Sequence, residues 1–234
     1  MAAKNRHHHD RLGLLAVAAA LAVQTAPARA LDIAFGVDLR EEGWRELIFH
    51  RHAATQYQAE NGALSVRAEQ SSSMLYRIIA DHHPALAPAR ARWEWRVDEG
   101  VGATDLTRKG GDDAALALYF VFADEKTAGR LARKQKSMLR MLSARSATTL
   151  VYVFGGARPG PFTSPYISGK SRSMVLRPAL SARGLWFEES VDLAGDHQRA
   201  FGAAPQRLIA IAVSSDADDT GGRNVAFLRR LSVD

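Results

Sequence analysis

The stretch Arg92-Trp93-Glu94-Trp95-Arg96-Val97-Asp98 alternates bulky apolar and charged side chains with a period of two. On a helix that pattern would scatter two indoles and their charged neighbours around the whole cylinder. On a strand it puts Trp93, Trp95 and Val97 on one face and Glu94, Arg96 and Asp98 on the other. Such a strand is half buried and needs a second layer to cover its tryptophans. Short segments rich in β-branched and aromatic residues recur along the chain between turn residues, at 47–49, 63–68, 73–79, 91–97, 114–122, 148–154, 174–176, 185–191, 208–214 and 224–231. That rhythm predicts an all-β sandwich or barrel. Segments 114–122 and 208–213 are nearly continuous apolar runs, as expected of central strands covered on both sides.

One stretch departs from the rhythm. Residues 125–142 carry Ala128, Leu131, Ala132, Gln135, Met138, Leu139 and Leu142 at three- and four-residue spacing, behind Asp124 as an N-cap, which predicts a single amphipathic helix. Its other face holds Lys126, Arg130, Arg133, Lys134, Lys136 and Arg140, and Arg145 follows. A second short helix is expected over 196–201, closed by Gly202. The chain's net charge of +6 is therefore concentrated. Half of it lies in the first thirty residues, and the rest of the chain is mildly acidic apart from the helical stripe.

Those first thirty residues read as a secretory signal peptide: basic Lys4, Arg6 and Arg11, an apolar run over 12–23, and Ala28-Arg29-Ala30 as a small-x-small cleavage site. The cut is expected after Ala30, leaving residues 31–234 as one periplasmic or secreted β-sandwich domain. The apolar run is too short to cross a hydrocarbon core of about 30 Å, and no later segment is long and apolar enough to span. The His7-His8-His9 run falls in the removed segment. Cysteine is absent from all 234 residues, which excludes disulfides, thiol nucleophiles, Cys-ligated metal sites and a lipidated N-terminal Cys. An exported chain whose positive charge is confined in this way is not expected to bind nucleic acid.

Four blocks occur in order: Trp93-Glu94-Trp95-Arg96-Val97; Lys109-Gly110-Gly111-Asp112-Asp113 before an apolar strand; Asp196-His197-Gln198-Arg199-Ala200-Phe201-Gly202; and Ser215-Asp216-Ala217-Asp218-Asp219-Thr220-Gly221-Gly222. Together they resemble the exported bacterial family called domain of unknown function 3047. The resemblance implies a single-domain β-sandwich with no established activity. The family pattern carries an aromatic after the Asp pair and an Arg shortly beyond, where this chain has Ala114 and Ala117, and an Asn where this chain has Asp219. If that Arg pairs with an acid in relatives, one acid here lacks its partner.

Oxygen chemistry is what the composition leaves. Asp216, Asp218 and Thr220, with Gly221 at the sixth position, open like a calcium loop, and Asp219 adds a further acid. The twelfth position is Phe227 instead of Glu, so an EF-hand is excluded. The candidates are a calcium site completed by carbonyls or by Asp112 and Asp113, and a Gly-rich turn whose acids cap backbone N–H groups. At the loop-to-strand junction only one of Asp112 and Asp113 can point inward, and an inward acid is expected to pair with Lys109 or Arg96. Two carboxylates from different strand ends would also serve as acid and base for glycoside cleavage. Of the aromatics, Trp93, Trp95 and Trp186 are expected in the core. Tyr166, in the Pro- and Gly-rich loop 155–170, is the better ligand contact. His50, His52, His82 and His83 read as ordinary surface histidines. Gly169-Lys170-Ser171 lacks the first glycine of a phosphate loop, and no hydrolase, zincin or dinucleotide fingerprint is present.

The expectation is thus a mainly β chain, a jelly-roll, concanavalin-like or carbohydrate-binding-module-like sandwich with one basic helix inserted between strands. Its leading function is non-catalytic binding of a ligand, a glycan by preference, near Lys109, Asp112, Asp113, Tyr166 and the terminal Asp loop. The alternatives are a carbohydrate-active hydrolase or lyase using loop carboxylates, and an envelope protein docking an acidic partner or glycan through Lys126, Arg130, Arg133, Lys134, Lys136 and Arg140.

Overall fold

The computed structural model describes residues 30–80, 88–132, 137–166 and 169–234. In chain order the elements are β1 (Leu31–Ile33), β2 (Trp44–Ile48), β3 (Gln56–Glu60), β4 (Ala63–Glu69), β5 (Ser72–Ile78), β6 (Ala91–Glu99), β7 (Ala114–Ala123), α1 (Glu125–Ala132), α2 (Met138–Ser143), β8 (Thr148–Gly155), β9 (Gly160–Phe162), β10 (Ser171–Arg177), β11 (Phe187–Val191), α3 (Leu193–Phe201), β12 (Arg207–Asp216) and β13 (Arg223–Val233). They build two sheets. One runs β11-β6-β13-β4-β3 with β1 also on β13, and the other runs β2-β5-β12-β7-β8-β10-β9. The β8–β10 pair is parallel, and the other ladders are antiparallel.

The main core lies between the sheets, as the alternation in β6 requires. Trp93 and Trp95 are buried and meet edge to face with centroids 5.4 Å apart, and Trp93 packs on Phe120 and Tyr152 of the opposite sheet. Aromatic pairs at such separations add to the stabilisation from area burial alone. The seven-stranded sheet is covered on its far side too, which explains the unbroken apolar runs of β7 and β12. There α1 and α2 lay Ala128, Leu131, Met138 and Met141 on Val121, Ala123 and Ile209. Beside them Leu106, from the loop before β7, packs on Ala117, Val151, Val153 and Val175.

The structure corrects three expectations. The helix expected over 125–142 is two helices, α1 and α2, and residues 133–136 lie outside the described ones. Asp124 does cap α1, accepting from the Thr127 N–H at 2.6 Å. Lys126, Arg130 and Arg140 of the basic stripe are exposed, whereas Arg133, Lys134 and Lys136 fall outside the described residues, as do His82, His83 and residues 1–29. Trp186 is not in the core. It sits half-buried on the outer face of the β6 sheet, with the Arg229 and Arg96 guanidiniums 3.9 and 5.0 Å from its ring centroid. The second helix begins earlier than expected, at Leu193, because Asp192 caps it by accepting from the Gly195 N–H at 2.9 Å. Gly202 ends it in the left-handed region, φ 78°, as the sequence anticipated.

Candidate functional site

At one end of the seven-stranded sheet the last residue of β12 meets the first residues of β5 and β7. Asp216 is the register partner of both Ser72 and Ala114. Its Oδ1 accepts from the Ser72 hydroxyl at 2.5 Å and its Oδ2 from the Ser214 hydroxyl at 3.2 Å. Ser214 in turn lies 3.1 Å from the Tyr119 hydroxyl. Burial pushes the Asp216 carboxyl up to about 7, and the charges of Asp218 and Asp112 add to the rise against the two serine hydrogen bonds. The same surroundings raise the Tyr119 hydroxyl.

Asp112 reaches the site from the loop before β7. Gly110, at φ 73°, makes the turn that brings it there, a conformation that costs glycine little. Burial raises Asp112 to about 6, the neighbouring Asp219 reinforces the rise, and Tyr166 opposes it. The Tyr166 hydroxyl accepts a long bond, 3.4 Å, from the Gly110 N–H, while its ring stays 57% exposed. Lys109 places its Nζ 5.5 Å from that ring's centroid. The structure therefore brings together Lys109, Asp112, Tyr166, Asp216, Asp218 and Asp219. Among the described residues no Lys or Arg forms an ion pair with Asp112, Asp216, Asp218 or Asp219. The one basic partner is His52, whose Nδ1 is 2.9 Å from Asp218 Oδ2.

Asp113 and Thr220 belong to the scaffold beneath this cluster. Asp113 is the inward acid, 1% exposed, but neither Lys109 nor Arg96 pairs with it. Its Oδ1 accepts from the Asp219 N–H at 3.3 Å. Its Oδ2 accepts from the Thr220 N–H at 2.8 Å and from the Thr220 hydroxyl at 2.6 Å. Arg96 instead pairs with Asp98 on the other sheet. A carboxylate tied to two backbone donors and a hydroxyl needs no base, because those hydrogen bonds replace its lost hydration. Asn224 completes the clamp from β13, donating to the carbonyls of Ala114 and Asp216.

The oxygens of the terminal loop have partners within the protein. Asp216 is turned to two serines, Asp218 to His52 and Thr220 to Asp113, so the loop's oxygens do not converge on one point. Among the described residues no group of three or more His, Asp or Glu side chains is arranged to hold a metal ion. The terminal loop is a turn whose backbone is capped by Asp113.

A cleft of about 590 Å³ opens at the loop before β7, lined by Thr104, Asp105, Thr107, Arg158 and Phe162 among others. Thr104 ties it to the acid cluster by donating to the Asp113 carbonyl at 2.7 Å. The Thr107 hydroxyl and N–H hold the Asp105 carboxyl below its ordinary range. Sequence reasoning did not anticipate this cleft, nor His52, Ser72, Ser214 or Tyr119. Ser72, Ser214 and Tyr119 reach the site through strand register, which no local motif encodes, and His52 through the turn after β2.

Among curated proteins none matches the sequence. Solved structures with a similar fold include a family 29 carbohydrate-binding module, CBM29-2, at 9% identity, covering 88% of this chain and 92% of that one with a TM-score of 0.38. The xyloglucanase domain of NopAA from Sinorhizobium fredii shows 11% identity, coverage of 89% and 99%, and a TM-score of 0.44. A cellulase derived from Cel12A of Rhodothermus marinus shows 12% identity, coverage of 88% and 99%, and a TM-score of 0.43. Similarity at this level transfers nothing about the site. The family match is of a different order: the profile of "Protein of unknown function (DUF3047)" runs over residues 42–232, so the chain belongs to that family.

Proposed function

We propose that the protein is an exported, single-domain binding module that takes a hydroxyl-rich ligand, a glycan, at the end of the seven-stranded sheet. Export rests on the N-terminal pattern with its cut after Ala30. The binding reading rests on one observation: Asp112 and Asp216 are partly buried, with carboxyls raised to about 6 and about 7, and among the described residues neither has an ion-pairing cation. Desolvation of these carboxyls has already been endured in the free protein, so a ligand hydroxyl that meets them gains a hydrogen bond at little further cost. Tyr166 offers an exposed ring for the apolar face of a sugar, and the neighbouring cleft gives a chain room to continue past Thr104 and Phe162. Binding to a glycan array, followed by calorimetry, tests the reading. The expected result is a hit that Asp112→Ala and Tyr166→Ala both weaken. Silence on an array of neutral, acidic and amino glycans at both pH 5 and pH 8 would end it.

A second reading is favoured by the same pair of carboxyls. Groups titrating at about 6 and about 7 in one site are suited to exchange acid and base roles in glycoside cleavage. Turnover on a polysaccharide panel that vanishes in Asp216→Asn would support a hydrolase or lyase, and turnover that survives it would remove this version.

A further inference from the structure

The seven-stranded sheet overhangs its partner. β11, the last strand of the smaller sheet on this side, lies opposite β8, with Phe187 and Phe154 ring centroids 5.9 Å apart. β10 and β9 extend beyond that contact, and α3, which packs on β8, takes the place of a further strand on this side. Between α3 and the overhang lies a cavity of about 250 Å³. Register places Leu150 beside Arg172, Tyr152 beside Met174, and Met174 beside Pro161, so all five side chains share the face that looks into the cavity. Ala200 closes it from α3.

The polar groups at this cavity are unevenly matched. Asp196 is its one acid, and both its oxygens are engaged: Oδ2 accepts from the Tyr152 hydroxyl at 2.6 Å and Oδ1 accepts from Arg199. Arg172 also lines the cavity, and its guanidinium donates to the Thr163 hydroxyl. Among the described residues Arg172 has no carboxylate partner. The cavity thus holds two guanidiniums and one acid that is already occupied, beside a wall of Leu150, Met174, Pro161 and Ala200.

We propose that this cavity is a second ligand site, separate from the acid cluster, for a small monocarboxylate with a flat or branched apolar body. A planar guanidinium without an acid partner suits a carboxylate, which it grips through two parallel N–H donors. The apolar wall excludes a sugar, because hydroxyls pressed against Leu150 and Met174 would lose water and find no acceptor. The volume fits a compact body rather than a chain, since ligand cavities of this kind are mostly apolar with a few convergent polar groups.

Phenylacetate and its neutral isostere phenylacetamide are the probes, followed by methyl NMR at Met174, Leu150 and Ala200. Phenylacetate is expected to give saturable shifts at these methyls. Phenylacetamide should bind at least about tenfold more weakly, the loss expected when a charge-assisted pair becomes a neutral hydrogen bond. Arg172→Gln should cause a similar loss of phenylacetate affinity while the spectrum stays otherwise native. Absence of saturable shifts, equal binding of acid and amide, or an unchanged Arg172→Gln affinity would each overturn the proposal. If that variant does not fold, the acid-to-amide comparison on the unaltered protein decides the matter alone. Asp112→Ala and Tyr166→Ala should leave these shifts untouched, so failure of glycan binding and failure of this site are separately visible.

Discussion

The outer face of the smaller sheet and the loop end of the larger one use similar residues to opposite effect. On the first, Glu94 is bonded by both Arg229 and Arg230, Arg96 pairs with Asp98, and Trp186 and Phe227 lie against guanidiniums. On the second, Asp112 and Asp216 are partly buried, and among the described residues no Arg or Lys is bonded to them. Burial alone would raise Glu94, but hydrogen bonds and charge from its two arginines outweigh burial and hold it below the ordinary carboxylate range. Burial of Asp112 and Asp216 is not opposed in this way, and both are raised. Glu94 and Asp98 are paired with arginines on one face, while among the described residues Asp112 and Asp216 on the other have no cation partner, and that difference is the ground for proposing the second as the ligand site.

The contrast predicts different losses on mutation, the largest beneath the acid cluster. Asp113→Ala strands two backbone N–H groups and the Thr220 hydroxyl in a buried setting. The expected cost is about 3 kcal/mol, read as a lower urea midpoint at unchanged slope. A change below about 1 kcal/mol would mean that Asp113 is not the scaffold of the terminal loop. Next comes Glu94→Gln, which leaves Arg229 and Arg230 without their counter-charge. Because both arginines are partly solvated, the expected cost is about 1–2 kcal/mol at pH 7.

The two faces should also respond to pH with opposite sign. Glu94 has a depressed folded pKa, so its contribution is present above the unfolded carboxylate range and is lost as pH falls through the folded value. Asp216 is raised to about 7 from 3.8, so the folded state holds the proton more tightly than the unfolded chain. Its burial therefore destabilises above pH 7, and that penalty disappears as pH falls from about 7 towards 4. Asp216→Asn removes the ionisation without removing the volume, and it is expected to raise stability by about 1–2 kcal/mol at pH 8 and by almost nothing at pH 4. Thermal denaturation of the variant at the two pH values checks this. A variant equally stabilised or destabilised at both would show that the carboxyl's charge is not the cause.

Much of the architecture was legible in the chain because burial on two faces leaves a periodic trace. The alternation at Trp93 and Trp95 and the unbroken runs of β7 and β12 report their surroundings directly. Strand β3, Gln-Tyr-Gln-Ala-Glu, escaped notice because an edge strand with a polar outer face carries little apolar signal. Trp186 misled for the opposite reason: an indole stacked under two guanidiniums has the same composition as one in a core. At the site, Asp112, Asp216 and Tyr166 stood out as polar residues in Gly-rich loops. That Asp113 turns inward to hold the terminal loop while Asp112 joins the acid cluster follows from which way each side of a strand junction faces. The cleft at Thr104 and the cavity under β10 are products of how the sheets end, and no short segment records where a sheet ends.

The smallest effect on stability should come from Tyr166, and it separates the two faces most cleanly. Its ring is 57% exposed, and the bond its hydroxyl accepts from the Gly110 N–H is long at 3.4 Å. Tyr166→Ala is therefore expected to change unfolding stability by less than about 0.5 kcal/mol, as surface substitutions generally do. Trp186→Ala, on the paired face, exposes the stacked guanidiniums of Arg96 and Arg229 and should cost about 1–2 kcal/mol. Ligand binding should rank them the other way. Loss of a stacking ring at the acid cluster is expected to weaken glycan binding about three- to tenfold, while Trp186→Ala leaves it unchanged. Denaturation and calorimetry on the same two variants measure both orders. If Trp186→Ala weakened the glycan and Tyr166→Ala did not, the binding face would be the paired one, and a lack of cations around buried acids would not be what marks the site.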